Sequence, residues 1–283
     1  MRSAGKHFMP TMEYLKSKGL TLFLLTIVPS LLTAFFISPS SFLYFLCNFF
    51  EIESYDFSTM YLKMYNFNSE YYYIGIIGVI LFIILVAIMF GTVDRHMRTG
   101  EFSISFSRAK SRLNYNFLTA LKMIAIIVIV FELYNIINVS FTLLWVATFT
   151  TKNSAFVFSI ITFVLTSFAL LVTISSIILW PPFMLHTGLS SLEAFKIGIR
   201  QNVGNALRIG GVLVIPILPI FVLMLLNGIL GWGGLVRILL DGICLAILSV
   251  IYIVLMYIVF YDVTGTERLD LQKINIWSKR KGV

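Results

Sequence analysis

YYYIGIIGVILFIILVAIMFGTVDRHMRTG, residues 71–100, opens with twenty uncharged residues and then places Asp94, Arg95, His96 and Arg98 in the next ten. A helix needs about 20 mainly apolar residues to cross a hydrocarbon core of about 30 Å, so 71–90 reads as a transmembrane helix and the charged end as its exit into water. Five further segments meet or approach that length: 20–37, 118–142, 155–180, 209–230 and 238–261. The predicted fold class is therefore all-α, a polytopic transmembrane bundle of six spans. Pro29 in the first span is tolerable if neighbours satisfy the carbonyl it frees. No small-residue cleavage site follows that span, so it reads as a retained anchor.

Composition agrees. The chain is 59% hydrophobic and 12% charged, where soluble domains carry about 25% charged residues. No polar stretch is long enough for a soluble domain, which leaves one membrane domain. It has a basic tail at 1–19, an outer loop at 38–70 and a second basic tail at 262–283. Cys47 and Cys244 form neither a disulfide framework nor a metal motif and read as apolar filler.

The net charge of +8 reflects orientation, not nucleic-acid binding. Of the 21 Lys and Arg, all but Lys63, Lys152 and Arg237 fall on one side of the predicted membrane, and the positive-inside rule makes that side cytoplasmic. With an even number of spans both termini belong there. Tyr71, Tyr72, Tyr73, Trp180, Tyr257 and Tyr261 stand where headgroup-level aromatic anchors are expected. The 38–70 loop mixes Phe42, Phe45 and Phe49 with Glu51, Glu53 and Asp56, a composition suited to lying along the outer leaflet; the rival reading is a cap over a site between the helices. Residues 8–18 are expected to lie in the inner interface, and Lys279, Arg280 and Lys281 to attract anionic lipid headgroups.

The chain contains an internal repeat. Thr99-Gly100-x-x-Ser103 matches Thr187-Gly188-x-x-Ser191, and Asn116-x-x-x-Ala120-Leu121-Lys122 matches Asn202-x-x-x-Ala206-Leu207-Arg208. Between the two motifs of each copy lies an amphipathic stretch, holding Ala109 or Ala194. Both copies enter the membrane in the same sense, so the repeat is a parallel one of helical hairpins, unlike the inverted repeats of many transporters. Gly100 and Gly188 free the backbone to turn, Asn116 and Asn202 are expected to cap the following helix, and Lys122 and Arg208 can snorkel to headgroups. With the last span running into Phe260-Tyr261-Asp262-Val263-Thr264-Gly265, this order resembles a broad group of uncharacterised bacterial six-helix membrane proteins, among them the membrane domain found fused to glycerophosphodiester phosphodiesterases. The resemblance covers roughly Phe90 to Glu267. It implies a six-span bundle and carries over no activity, because the phosphodiesterase domain has no counterpart here.

Chemistry is sparse. His7, His96 and His186 lie at or beyond the inner edge and share no ligand spacing, and neither a phosphate-binding loop nor a nucleophile elbow is present. No cofactor or metal motif appears, and the chain reads as a non-enzyme. Glu132 lies ten residues past Lys122, about 15 Å at helical rise, which places a carboxylate near mid-bilayer. With Asn135 and Asn138 it forms a candidate intramembrane polar site, either a proton- or cation-linked group or interhelical glue. Arg237 and Asp241, at i and i+4, read as an ion pair at the outer edge. Ser159, Thr162, Thr166, Thr173 and Ser176 follow a period near 3.5 on the fourth span, a stripe suited to helix packing or to a polar route. Pro181-Pro182 should end that helix and Pro216 and Pro219 should kink the fifth.

Structural readings prevail at most positions. The expected function is that of an accessory or scaffold component of the bacterial plasma membrane, with lipids and other membrane-protein subunits as partners. The alternative is a transporter or permease with a route past Glu132 and the hydroxyl face of span four.

Overall fold

Among the described residues six helices are long and apolar enough to cross a membrane: Lys6–Ala34, Tyr72–Thr99, Tyr115–Thr148, Lys152–Thr187, Ala206–Leu230 and Gly234–Thr264. The chain is a multi-pass membrane protein. The computed structural model describes residues 5–52, 55–64, 67, 71–104, 113–232 and 234–271; Ala109 and the Lys279, Arg280, Lys281 cluster lie outside them. Among the described residues every regular element is a helix, apart from one isolated bridge between Ile37 and Phe67. The first span joins α1 (Gly5–Tyr14), a π-helical turn (Leu15–Gly19) and α2 (Leu20–Ala34). Then follow α3 (Ser41–Cys47), α4 (Phe57–Met64), α5 (Tyr72–Thr99), α6 (Leu113–Thr148), α7 (Lys152–Ile177), α8 (Trp180–Thr187), α9 (Ser191–Asn202), α10 (Ala206–Leu230) and α11 (Gly234–Thr264).

The helices outrun the predicted limits. At 36 residues, α6 is about 54 Å long against a hydrocarbon core of about 30 Å, so its ends stand outside the bilayer. Residues 8–18, whose apolar members suggested an interfacial segment, belong to the first long helix. They continue the first span, and α1 packs on α11. The buried stripe is His7, Thr11 and Tyr14, at helical spacing but polar, so an apolar pattern does not register it. Lys6 and His7 reach Asp262 of α11 at 2.9 and 3.0 Å, which fixes the beginning of the first span and the end of the last at one end of the bundle, the terminal end.

At the far end part of the 38–70 loop packs against the helices. Phe42, Phe45, Phe49, Met60 and Met64 are buried in a cluster with Val139 of α6 and Ala155 of α7, and Phe42 stacks on Phe163 with centroids 4.4 Å apart. Large apolar side chains that can reach a protein interior pack there with specific partners, which a fluid leaflet cannot offer.

Helix α2 runs between α5 and α11, its principal neighbours. The approach is backbone to backbone. A Cβ at Gly75 or Gly78 of α5 would overlap the main chain of Phe36 or of Leu32 and Thr33, and one at Gly242 of α11 would stand 2.7 to 2.8 Å from Leu31. Helix α11 is the centre of the bundle: 67% of its apolar window is buried, against 17% for Lys152–Thr187 and 22% for Tyr115–Thr148. The α6–α7 hairpin therefore stands out from the core.

The repeat is present in three dimensions, with one correction. Gly100 and Gly188 close their helices in the left-handed region, at φ 69° and 71°, donating to His96 and Met184 carbonyls at 2.8 and 3.1 Å. Thr99 and Thr187 hydroxyls each donate to the carbonyl four residues back. Asn116 and Asn202, however, do not cap the next helix. Asn116 Nδ2 donates to Ala87 O of α5 at 3.4 Å, and Asn202 Nδ2 to Ser175 O of α7. Those acceptors each lie twelve residues before the Thr of their own copy, so the two Asn tie each link back to the span that precedes it. The second link is also capped locally: Ser190 and Glu193 form a capping box at the start of α9, and the Ser190 hydroxyl holds the Glu193 carboxyl below its usual pKa. Thr264-Gly265 ends α11 the same way, with Gly265 at φ 66° and Thr264 Oγ1 donating to Phe260 O at 2.8 Å.

Gly78→Val should cost about 3 kcal/mol or more, because the clash is with backbone and cannot relax through a rotamer. Gly211→Ala, with open space at its Cβ, should be neutral or gain up to about 1 kcal/mol. Thermal unfolding in mild detergent reads both. By the same measurement Asn202→Leu should lose about 1–3 kcal/mol, the cost of orphaning a buried carbonyl.

Candidate functional site

The residues singled out in sequence separate into three places. The hydroxyl stripe of α7 meets α6 over its first half. Trp145 Nε1 donates to Thr162 Oγ1 at 2.8 Å, Thr166 Oγ1 to Asn138 Oδ1 at 2.8 Å, and Tyr134 and Ser167 hydroxyls pair at 2.9 Å. Ser159 is buried and bonds back to Ala155 O. Thr173 is exposed and Ser176 half-buried, each bonded only to its own helix. A period of 3.5 drifts by about 20° per heptad on a straight helix, so after two heptads Thr173 has rotated off the seam. The stripe is a packing seam between α6 and α7, and it does not continue as one polar face.

Glu132, Asn135 and Asn138 do not converge. Asn138 is consumed at the α7 seam, where its Nδ2 also donates to Tyr134 O at 2.8 Å. Asn135 is 1% exposed and its Nδ2 has no partner among the described residues. Glu132 is half-buried and accepts from the Tyr61 hydroxyl of α4 at 3.1 Å. The α4 segment thus reaches the carboxylate that the sequence grouped with Asn135 and Asn138 near mid-bilayer.

Arg237 and Asp241 do pair, at 3.9 Å, but not as an exposed edge contact: Asp241 is 1% exposed. The turn after α2 closes over it. Ser38 Oγ donates to Asp241 Oδ2 at 2.6 Å, and Arg237 Nη2 donates to Ser38 and Ser41 hydroxyls at 2.7 Å. The guanidinium lies 4.4 Å from the centroid of the Tyr44 ring, and Tyr44 accepts from Asn227 Nδ2 of α10. Burial pushes the Tyr44 phenol up to about 12 and raises the Cys47 thiol beside it, so both are neutral at physiological pH. This clasp joins α3, α10 and α11.

Sequence spacing set the histidines aside, yet each is a cross-link at the terminal end. His186 Nδ1 lies 3.2 Å from Asp94 Oδ1, which also accepts from Tyr261 at 3.4 Å. His96 Nδ1 lies 3.1 Å from the Tyr14 hydroxyl, and His7 meets Asp262. Among the described residues no three His, Cys, Asp or Glu are grouped to hold a metal.

Between the clasp and the histidine layer lies a partly open cavity of ≈ 260 Å³, to which all six spans contribute. Its walls are apolar, including Val86, Ile127, Leu171, Ile217 and Ile253, and Glu132 is the one carboxylate among the described residues that line it. Three of the residues lining it carry hydroxyls: Thr33 donates to Pro29 O at 2.7 Å and Ser249 to Ala246 O at 2.9 Å, each within its own helix, and Tyr252 is the third. Comparison of the chain with family models, curated proteins and solved structures finds no match.

Asp241→Ala should destabilise the bundle by about 3 kcal/mol, because it strands a buried, hydrogen-bonded charge network. Lys6→Ala, at a lysine 60% exposed, should change stability by no more than about 1 kcal/mol. Thermal midpoints of the two variants in one detergent make the comparison.

Proposed function

We propose that this chain is a non-enzymatic component of the bacterial plasma membrane, with both termini cytoplasmic, that assembles with other membrane proteins through its α6–α7 hairpin. The burial contrast between this hairpin and α11 carries the reading. Tyr134, Asn138 and Trp145 of α6 meet Ser167, Thr166 and Thr162 of α7, while Val157, Ile161, Val164, Leu165 and Phe168 of α7 face outward. Lipid accepts such a face without a partner, so exposure alone is not the argument. The outward flank also presents Ala169 and Thr173, two small residues four apart, the spacing that lets a second helix approach closely. A kinship with the bacterial six-helix group belongs to the same proposal and is supported by the repeated Thr-Gly turns and Asn ties.

A transporter is the second reading, favoured by a cavity shared by six spans with Glu132 in its wall. The hydroxyl half of the suggested route is occupied by α6–α7 hydrogen bonds, which weighs against a polar path there. Glu132→Gln separates the two. Transport coupled to the carboxylate would be lost at unchanged abundance, whereas a component of an assembly should keep its partners.

A photo-crosslinking residue at Leu165 in living cells should give one discrete adduct with another membrane protein, and the same residue at buried Ile253 should give none. Adducts with lipid only at Leu165 would overturn the assembly reading. Compartment-sensitive reporters on the two termini should both report cytoplasm; opposite faces would overturn the orientation.

A further inference from the structure

Of the three hydroxyls borne by the described residues that line the cavity, the fold uses two. Thr33 and Ser249 donate within their own helices. Tyr252 of α11 is half-buried and lines the same wall, yet its hydroxyl has no hydrogen-bond partner among the described residues. It stands eleven residues past Asp241 of the clasp and ten before Asp262 of the terminal end, about 16 and 15 Å at helical rise. That is the middle of a hydrocarbon core about 30 Å thick. Water is scarce at that depth, and a hydroxyl left unpaired in an apolar setting costs free energy, a cost that buried polar groups rarely bear. An acceptor brought by a bound molecule removes it.

We propose that the cavity binds a neutral hydrocarbon chain carrying a carbonyl oxygen, the chain lying along α6 and the carbonyl accepting from the Tyr252 hydroxyl. The cavity follows α6 from Met123 to Glu132, nine residues or about 14 Å at helical rise. An apolar cavity of about 150 Å³ takes benzene; at ≈ 260 Å³ this one has room for a chain, whose dispersion contacts with walls such as Val86, Leu171 and Ile253 replace those an empty wall lacks. A chain ending in an ionised carboxylate is disfavoured, because stripping that group of water costs far more than one phenol hydrogen bond returns. A phospholipid keeps its ester carbonyls with its headgroup, about 15 Å from the middle of the bilayer, out of reach of Tyr252. The ligand is therefore a free molecule dissolved in the membrane, a ketone or quinone by its chemistry. The site stands whether the protein is a subunit of an assembly or a transporter.

The test uses the full chain in maltoside micelles with methyl nonyl ketone, undecane and undecanoate, and reads apparent affinity from the rise of the thermal midpoint with ligand mole fraction. The ketone should bind most tightly, the alkane less and the carboxylate least. Tyr252→Phe should weaken the ketone about three- to tenfold, as expected for one lost neutral hydrogen bond, and leave the alkane unchanged. Without ligand the same variant should melt no lower than the wild type, since the hydroxyl has no partner to lose. Ile127→Trp, which fills the cavity, should abolish both responses; Val128→Phe does the same should the Trp variant not fold. Equal affinity for ketone and alkane in the wild type, a ketone preference that survives Tyr252→Phe, a lower midpoint of that variant without ligand, or a response that survives the filled cavity would overturn the proposal. These readouts need no partner protein, so a failed cross-link at Leu165 and a failed ketone response are separate results.

Discussion

Helix α2 lies against its neighbours with no side chain between them at Gly75, Gly78 and Gly242, and the rest of the bundle depends on that closeness. In water, burying apolar surface would draw the helices together. In lipid the surroundings are as apolar as the helix, and association comes from packing and hydrogen bonds. Glycines that bring two main chains into contact supply the packing directly. Because α2 touches both α5 and α11, it fixes the spacing of the helices that wall the cavity on that side.

Hydrogen bonds act at two levels above and below that contact. The clasp of Arg237, Asp241 and the serines after α2 seals the far end, and the histidine pairs seal the terminal end. Between them the cavity wall is mostly apolar, with Glu132, Thr33, Ser249 and Tyr252 among its lining residues. Polarity is therefore stratified along the membrane normal, with two cross-linked layers bounding a greasy middle. A separate polar seam holds α6 to α7 and lets that hairpin stand away from the centre without coming apart.

Run length and charge made the spans legible: 71–90 could be little else, and the Thr-Gly turns announced the repeat. Spacing along one helix was also readable, which is why Thr162 and Thr166 stood out as part of a stripe suited to packing or to a polar route. The reading failed where partners are distant. Nothing near Asn202 points to the Ser175 carbonyl, so the familiar capping role was assigned to it. Glu132 was grouped with Asn135 and Asn138 because they follow it on one helix, and nothing in the run of sequence pointed to Tyr61, 71 residues away. The histidines find partners 82, 92 and 255 residues away, beyond any spacing rule, and the buried face of α1 is polar, which a search for apolar periodicity passes over.

The longest of those separations concerns biogenesis. Asp262 is synthesised 255 positions after His7, roughly 13 to 51 s later at ordinary translation speeds. Throughout that interval the amino-terminal helix has no carboxylate to hold it. The contact closes the bundle like a clasp with one half made well before the other, and the insertion machinery, or the lipid itself, must shelter the imidazole until the carboxylate arrives.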